Sequence, residues 1–124
     1  MHIIFGSAAA QQASDKYTVL ELDRLRLEPL GPIVDTYCII ETVPLEEIPL
    51  LDNYCRLHAK LMDNYRRRDW NFCEQALEHL HGRWGGVMNS FYDEISQRIA
   101  KYKQQDPGEN WDGVYEKPLA DSGC

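Results

Sequence analysis

With 124 residues, of which 44% are hydrophobic and 27% charged, the chain carries too much apolar material for a disordered segment and enough for one core. A formal net charge of −7 and a pI near 5.0 argue against a duplex nucleic-acid binder, because affinity for a phosphate backbone comes from clustered Lys and Arg. No apolar run approaches the roughly 20 residues a membrane span needs. Ile3, Ile4 and Phe5 are too few for a signal-peptide core, so a cytoplasmic location is expected.

The expected class is α+β, with an N-terminal β-hairpin followed by about three antiparallel helices. Residues 1–15 have no strong periodicity and read as a loop or one helical turn. Residues 16–117 read as one domain. From Tyr17 to Leu27, β-branched, aromatic and leucine residues alternate with charges, which predicts a strand. Leu20 and Leu22 share one parity and Leu25 and Leu27 the other, so a bulge near Asp23 is expected to restore one apolar face. Pro29, Gly31 and Pro32 then predict a turn, and Ile33 to Val43 a second strand with apolar residues on both faces, closing a hairpin over 16–43.

Pro44 and Pro49 bracket a short acidic segment suited to a first helical turn. Leu50, Tyr54, Leu57, Leu61 and Tyr65 recur at steps of four and three, the stripe of a helix with one buried face. Asp69 is placed to cap a second helix carrying Phe72, Cys73, Ala76, Leu77 and Leu80. Gly82, Gly85 and Gly86 mark a loop, and Ser90 with Asp93 resembles a capping box opening a third helix that ends near Gln105. The helical part is therefore set at 45–105, a closing turn around Trp111-Asp112-Gly113-Val114 at 106–117, and a frayed tail at 118–124.

Two segments resemble one known family. Leu22-Asp23-Arg24-Leu25-Arg26-Leu27 and Tyr37-Cys38-Ile39-Ile40-Glu41 resemble the last hairpin of the class III adenylate and guanylate cyclase catalytic domain. Asn64-Tyr65-Arg66-Arg67-Arg68-Asp69-Trp70, with the closing Trp-Asp-Gly-Val segment, is similar to the helical tail that follows that domain in bacterial cyclases. That tail resembles a tetratricopeptide helix pair, which implies that Tyr65, Trp70, Cys73 and Ala76 fill its aromatic and small-residue positions. The chain also looks like short proteins of marine bacteriophages, in which case the cytoplasm would be the host's. The paired metal-binding aspartates of cyclases have no counterpart here, so no cyclase activity is carried over.

The remaining candidates are local. Arg66-Arg67-Arg68 is a basic run ending a helix, readable as a charged terminus or as a docking patch for an acidic partner or RNA aided by Tyr65 and Trp70, while Trp84 before Gly85-Gly86 is a separate candidate whose plainer reading is loop packing. Cys55 and His58 lie three apart on a helix, with Cys73, His79 and His81 further on, and such ligands could hold tetrahedral zinc if the helices crossed suitably. The spacing matches no established zinc pattern, and buried thiols with surface imidazoles explain the same residues. Cys38, Cys55, Cys73 and Cys124 lack a secretory context, so reduced thiols are expected, with no cofactor. The favoured function is a non-catalytic interaction module whose helical part binds a protein partner or a second copy of itself. The alternative is a small ligand- or zinc-binding protein using Cys55, His58 and the region from His79 to Arg83.

Overall fold

A computed structural model describes residues 2–26 and 31–116. The turn expected at 28–32 lies partly outside these residues, and the tail expected at 118–124 wholly outside them. The chain is mixed α+β and falls into two compact units, a sheet unit of His2–Ile40 with the segment from Asp112, and a helical unit of Glu41–Trp111. Among the described residues no helix is long and apolar enough to cross a membrane.

The sheet unit contains β1 (His2–Phe5), α1 (Ser7–Ala13), β2 (Thr18–Arg26), β3 (Ile33–Ile40) and β4 (Val114–Glu116). Its strand order is β1-β3-β2-β4, with β2 and β3 antiparallel as the central hairpin. Pairing between them shifts between Glu21 and Arg24, so the irregularity falls where the leucine parity breaks. Leu20 and Leu22 are buried before it. Thr36 closes the gap this shift opens, its hydroxyl accepting the Asp23 N–H at 3.1 Å and donating to the Asp23 carbonyl at 3.0 Å. A buried bulge without that hydroxyl would leave two backbone groups unpaired.

Both outer strands go beyond the two-stranded expectation. The segment Ile3-Ile4-Phe5 pairs antiparallel with β3, and Val114–Glu116 pairs parallel with β2. The Asp112 carboxylate accepts the Val114 N–H at 3.0 Å across Gly113, whose φ is +77°. This side-chain turn aims the chain into the sheet, and an L side chain at position 113 would be strained there. Arg24 ties the turn down from the neighbouring strand, donating to the Asp112 carbonyl at 3.3 Å.

The helical unit contains a 3₁₀ turn at Leu45–Leu50, α2 (Leu51–Arg66), α3 (Trp70–Leu80), a tight turn at Trp84–Gly86 and α4 (Asn89–Gln104). In α2 the buried face is His58, Leu61, Met62 and Tyr65, a stripe turned slightly from the expected one. Leu50 falls outside it, 44% exposed, because it ends the 3₁₀ turn and does not share the phase of α2. Asp69 caps α3 as expected, its carboxylate accepting the Phe72 N–H at 3.2 Å. The capping box at Ser90 does not form: α4 starts at Asn89 without a side-chain cap, and Asp93 instead meets the His81 ring at 3.1 Å. Asn89 is drawn the other way, its side-chain oxygen accepting the Gly82 N–H at 2.8 Å.

Candidate functional site

Five apolar residues set the core of the helical unit, Leu61, Met62, Leu80, Met88 and Ile95, each fully buried. Each such side chain contributes about 1.5–3 kcal/mol relative to leaving it in water. Through this core runs a polar chain. The Trp84 indole N–H donates to the Tyr92 hydroxyl at 3.0 Å, and that hydroxyl lies 2.9 Å from Nδ1 of His58, which is 1% exposed. A phenol has one proton, and the arrangement uses it fully when Tyr92 accepts from Trp84 and donates to His58. His58 Nδ1 is thereby committed inside the protein.

Trp84 is fixed a second time through its backbone. Its N–H donates to the Glu47 carboxylate at 2.7 Å, in the interior. Trp84, Gly85 and Gly86 are three consecutive residues at φ +59°, +64° and +83°. Glycine enters this left-handed region freely, whereas a bulky aromatic residue does so at a cost of order 1–3 kcal/mol. The Glu47 carboxylate, the Tyr92 hydroxyl and burial of the indole together hold it there. Tyr54 adds an edge-to-face ring at 6.2 Å, and the Arg83 guanidinium sits 4.9 Å over the Tyr54 ring.

Several large apolar residues on or beside the two turns of this latch are exposed. Leu45 is 83% exposed, Ile48 50% and Leu50 44%, all on the 3₁₀ turn that also carries Glu47. Val87, three residues beyond Trp84, is 47% exposed. Pro44 lies 3.8 Å from where a Cβ on Gly85 would stand, so the two short turns are in contact. Glu46 and Asp52 are exposed beside these apolar residues.

The residues singled out from sequence are distributed differently. Trp84 is 1% exposed, Tyr65 1% and Trp70 8%, so these rings are packed mainly into the core. Tyr65, Trp70, Tyr102 and Trp111 form one cluster with centroids 5.2–6.3 Å apart. Burial pushes the Tyr65 phenol well above its ordinary range, with the Arg98 guanidinium pulling it back. In the basic run, Arg67 pairs with Asp63 at 3.4 Å and Arg68 with Asp106 at 2.8 Å, while Arg66 is half-buried. Arg68 and Trp70 edge a cleft of about 300 Å³ with Tyr102 and Lys103.

Cys55, His58, Cys73, His79 and His81 are not gathered. Among the described residues no group of three or more His, Cys, Asp or Glu side chains is arranged to hold a metal ion. Cys73 is buried with its thiol toward the Leu61 carbonyl at 3.6 Å, and burial pushes it up to about 12. Cys55 is raised by burial and by the nearby Asp52. His79 is exposed on α3, and His81 faces Asp93 beside a second cleft, of about 270 Å³. Cys38, Cys55 and Cys73 form no disulfide.

Sequence reasoning missed Glu47, Tyr92 and the apolar ridge. Glu47 looks the same as Glu46 in a string of letters, and Tyr92 is one of seven tyrosines. Only Leu45 and Ile48, apolar residues inside an acidic, proline-bracketed segment, carried a readable signal. Comparison with protein-family models, curated proteins and solved structures finds no match.

Proposed function

We propose that the chain is a non-catalytic interaction module, active in the cytoplasm, that binds a protein partner through its helical unit. The observation that carries this reading is the exposure of four large apolar residues, Leu45, Ile48, Leu50 and Val87, on or beside two adjoining turns. Scattered apolar residues on a surface are ordinary, whereas a cluster on a rigid, costly scaffold is what a docking anchor requires. The same two turns carry a buried carboxylate and a tryptophan in a left-handed conformation, tied to each other by a hydrogen bond.

The α2–α3 pair is read as tetratricopeptide-like, with Cys73 and Ala76 as the small residues of α3 and Tyr65 and Trp70 as the aromatics around the bend. In this reading the resemblance to the cyclase tail concerns a scaffold and carries no catalysis. The partner-binding role moves from Tyr65, Trp70 and Trp84, which build the interior, to the 3₁₀ turn.

Site-specific photo-crosslinking in the producing cell tests the proposal. Benzoylphenylalanine replacing Leu45 is expected to yield a discrete protein adduct that is absent when the same group replaces Gln97, an exposed residue of α4. Equal, diffuse labelling from both positions would contradict it.

A further inference from the structure

We propose that two copies of this chain pair through the outer edge of β1, independently of the exposed apolar residues of the helical unit. Among the described residues β1 ends the sheet order β1-β3-β2-β4, so one side of the strand meets β3 and the other meets no strand. The Gly6 N–H donates to the Asp35 carbonyl at 2.8 Å, which continues the register of β1 on β3 by one residue. In an antiparallel ladder such bonded pairs alternate with unbonded ones, so Ile4 is bonded to Tyr37 while the N–H and C=O groups of Ile3 and Phe5 point away from β3. These same two residues are 43% and 59% exposed, although their cross-strand neighbours Cys38 and Thr36 are buried. Sheet edges are ordinarily blunted by lysine, proline or a bulge, and β1 has none of these.

The outward backbone groups ask for an extended strand, and two features make a second copy the one that fits. First, β1 is self-complementary. Laid antiparallel on another β1, with Ile4 facing Ile4 across a two-fold axis, Ile3 of each copy stands opposite Phe5 of the other, and both pairs use the outward backbone groups. The exposed isoleucine and phenylalanine then lie side by side on one face, a β-branched and aromatic pair that stabilises adjacent strands. Second, the surface around this edge is uncharged. Asp, Glu, Lys and Arg make up 27% of the chain and leave it at −7, yet none falls within residues 1–14. The exposed residues of α1, among them Ala8, Ala9, Gln11 and Gln12, carry no charge. Two acidic molecules repel where their charged surfaces meet, and this edge lets them approach without that repulsion. Four residues make a short ladder, so the pairing is concentration-dependent.

Sedimentation velocity of the full chain from micromolar to millimolar concentration, with amide hydrogen exchange by NMR at both ends of that range, tests the pairing. The expected result is a shift from monomer to dimer in which the Ile3 and Phe5 amides become protected as concentration rises, while the Ile4 amide is protected throughout. Ile3→Pro removes an outward N–H and spares the bonds to β3, and Phe5→Lys brings two ammonium groups to the same short interface. Each is expected to weaken self-association by about tenfold or more, with the chemical shifts of β2 and β3 retained as the check on folding. Leu45→Ser combined with Ile48→Ser is expected to leave self-association unchanged. A chain that stays monomeric throughout, a dimer whose Ile3 and Phe5 amides exchange freely, or a dimer that both edge substitutions leave intact would overturn the proposal, as would a dimer lost with the two serine substitutions.

Discussion

The carboxylate of Glu47 accepts the backbone N–H of Trp84 at 2.7 Å, joining the 3₁₀ turn before α2 to the left-handed turn before α4 across 37 residues of chain. This bond resolves two problems at once. It gives a buried amide its acceptor, and it gives a buried carboxylate a donor.

Replacing Glu47 separates these effects. Glu47→Ala leaves the Trp84 amide without its acceptor and is expected to cost about 1–3 kcal/mol, whereas Glu47→Gln keeps an acceptor oxygen and costs less. Urea unfolding followed by tryptophan fluorescence reads the difference. Equal stability of Glu47→Ala and the parent would show that the bond holds nothing in place.

The Tyr92 hydroxyl meets both the Trp84 indole N–H and His58 Nδ1, so Tyr92→Phe removes two contacts where His58→Phe removes one of them. Tyr92→Phe removes the oxygen that meets both the indole N–H and His58 Nδ1, and is expected to destabilise more than His58→Phe. In a double-mutant cycle the two substitutions should couple by about 0.5–3 kcal/mol. Strict additivity would mean that Tyr92 and His58 do not act as a pair.

Asp106 accepts the Gly108 N–H and the Arg68 guanidinium, which hold its carboxyl below the usual aspartate range. A depressed folded value means that the stabilisation is present above the ordinary carboxylate range and is lost as pH falls through the folded value. Carboxyl ¹³C titration is expected to place the Asp106 midpoint below that of a model aspartate, and Arg68→Ala to move it upward. An unmoved midpoint in that variant would leave the Gly108 amide and the Trp70 indole N–H as the cause.

Cys73 is 0% exposed with its thiol pushed up to about 12, so neither access nor ionisation favours reaction. Iodoacetamide at pH 8 is expected to modify Cys73 only under denaturing conditions, as read by peptide mass mapping. Because the unfolded thiol ionises near its ordinary value and the folded one does not, Cys73 also contributes a loss of stability as pH rises above about 9. Native-state labelling of Cys73 would contradict the packing of α2 on α3.

Periodic segments were legible from sequence and local polar choices were not. The helix running to Tyr65, the Asp69 cap and the break of register at Asp23 all follow from spacing or side-chain chemistry confined to a few residues. The outer strands did not, because Ile3-Ile4-Phe5 and Val114-Tyr115 are too short to show a period and become strands only beside β3 and β2. Ser90 and Asp93 had the spacing of a cap, yet Asp93 faced His81 once the chain turned at Gly82. For the candidate site, tryptophans and arginines drew attention as exposed recognition residues, and packing turned the rings inward. Leu50 fits the spacing of the α2 stripe in sequence, yet it ends the 3₁₀ turn and stays exposed.

The stability of the chain carrying Leu45→Ser and Ile48→Ser together tests most directly whether these side chains are free to meet a partner. If these side chains are presented to a partner and take no part in the core, the unfolding free energy in urea should stay within about 0.5 kcal/mol of the parent. A loss of about 2 kcal/mol or more would place them in the folding core and contradict the proposed docking ridge.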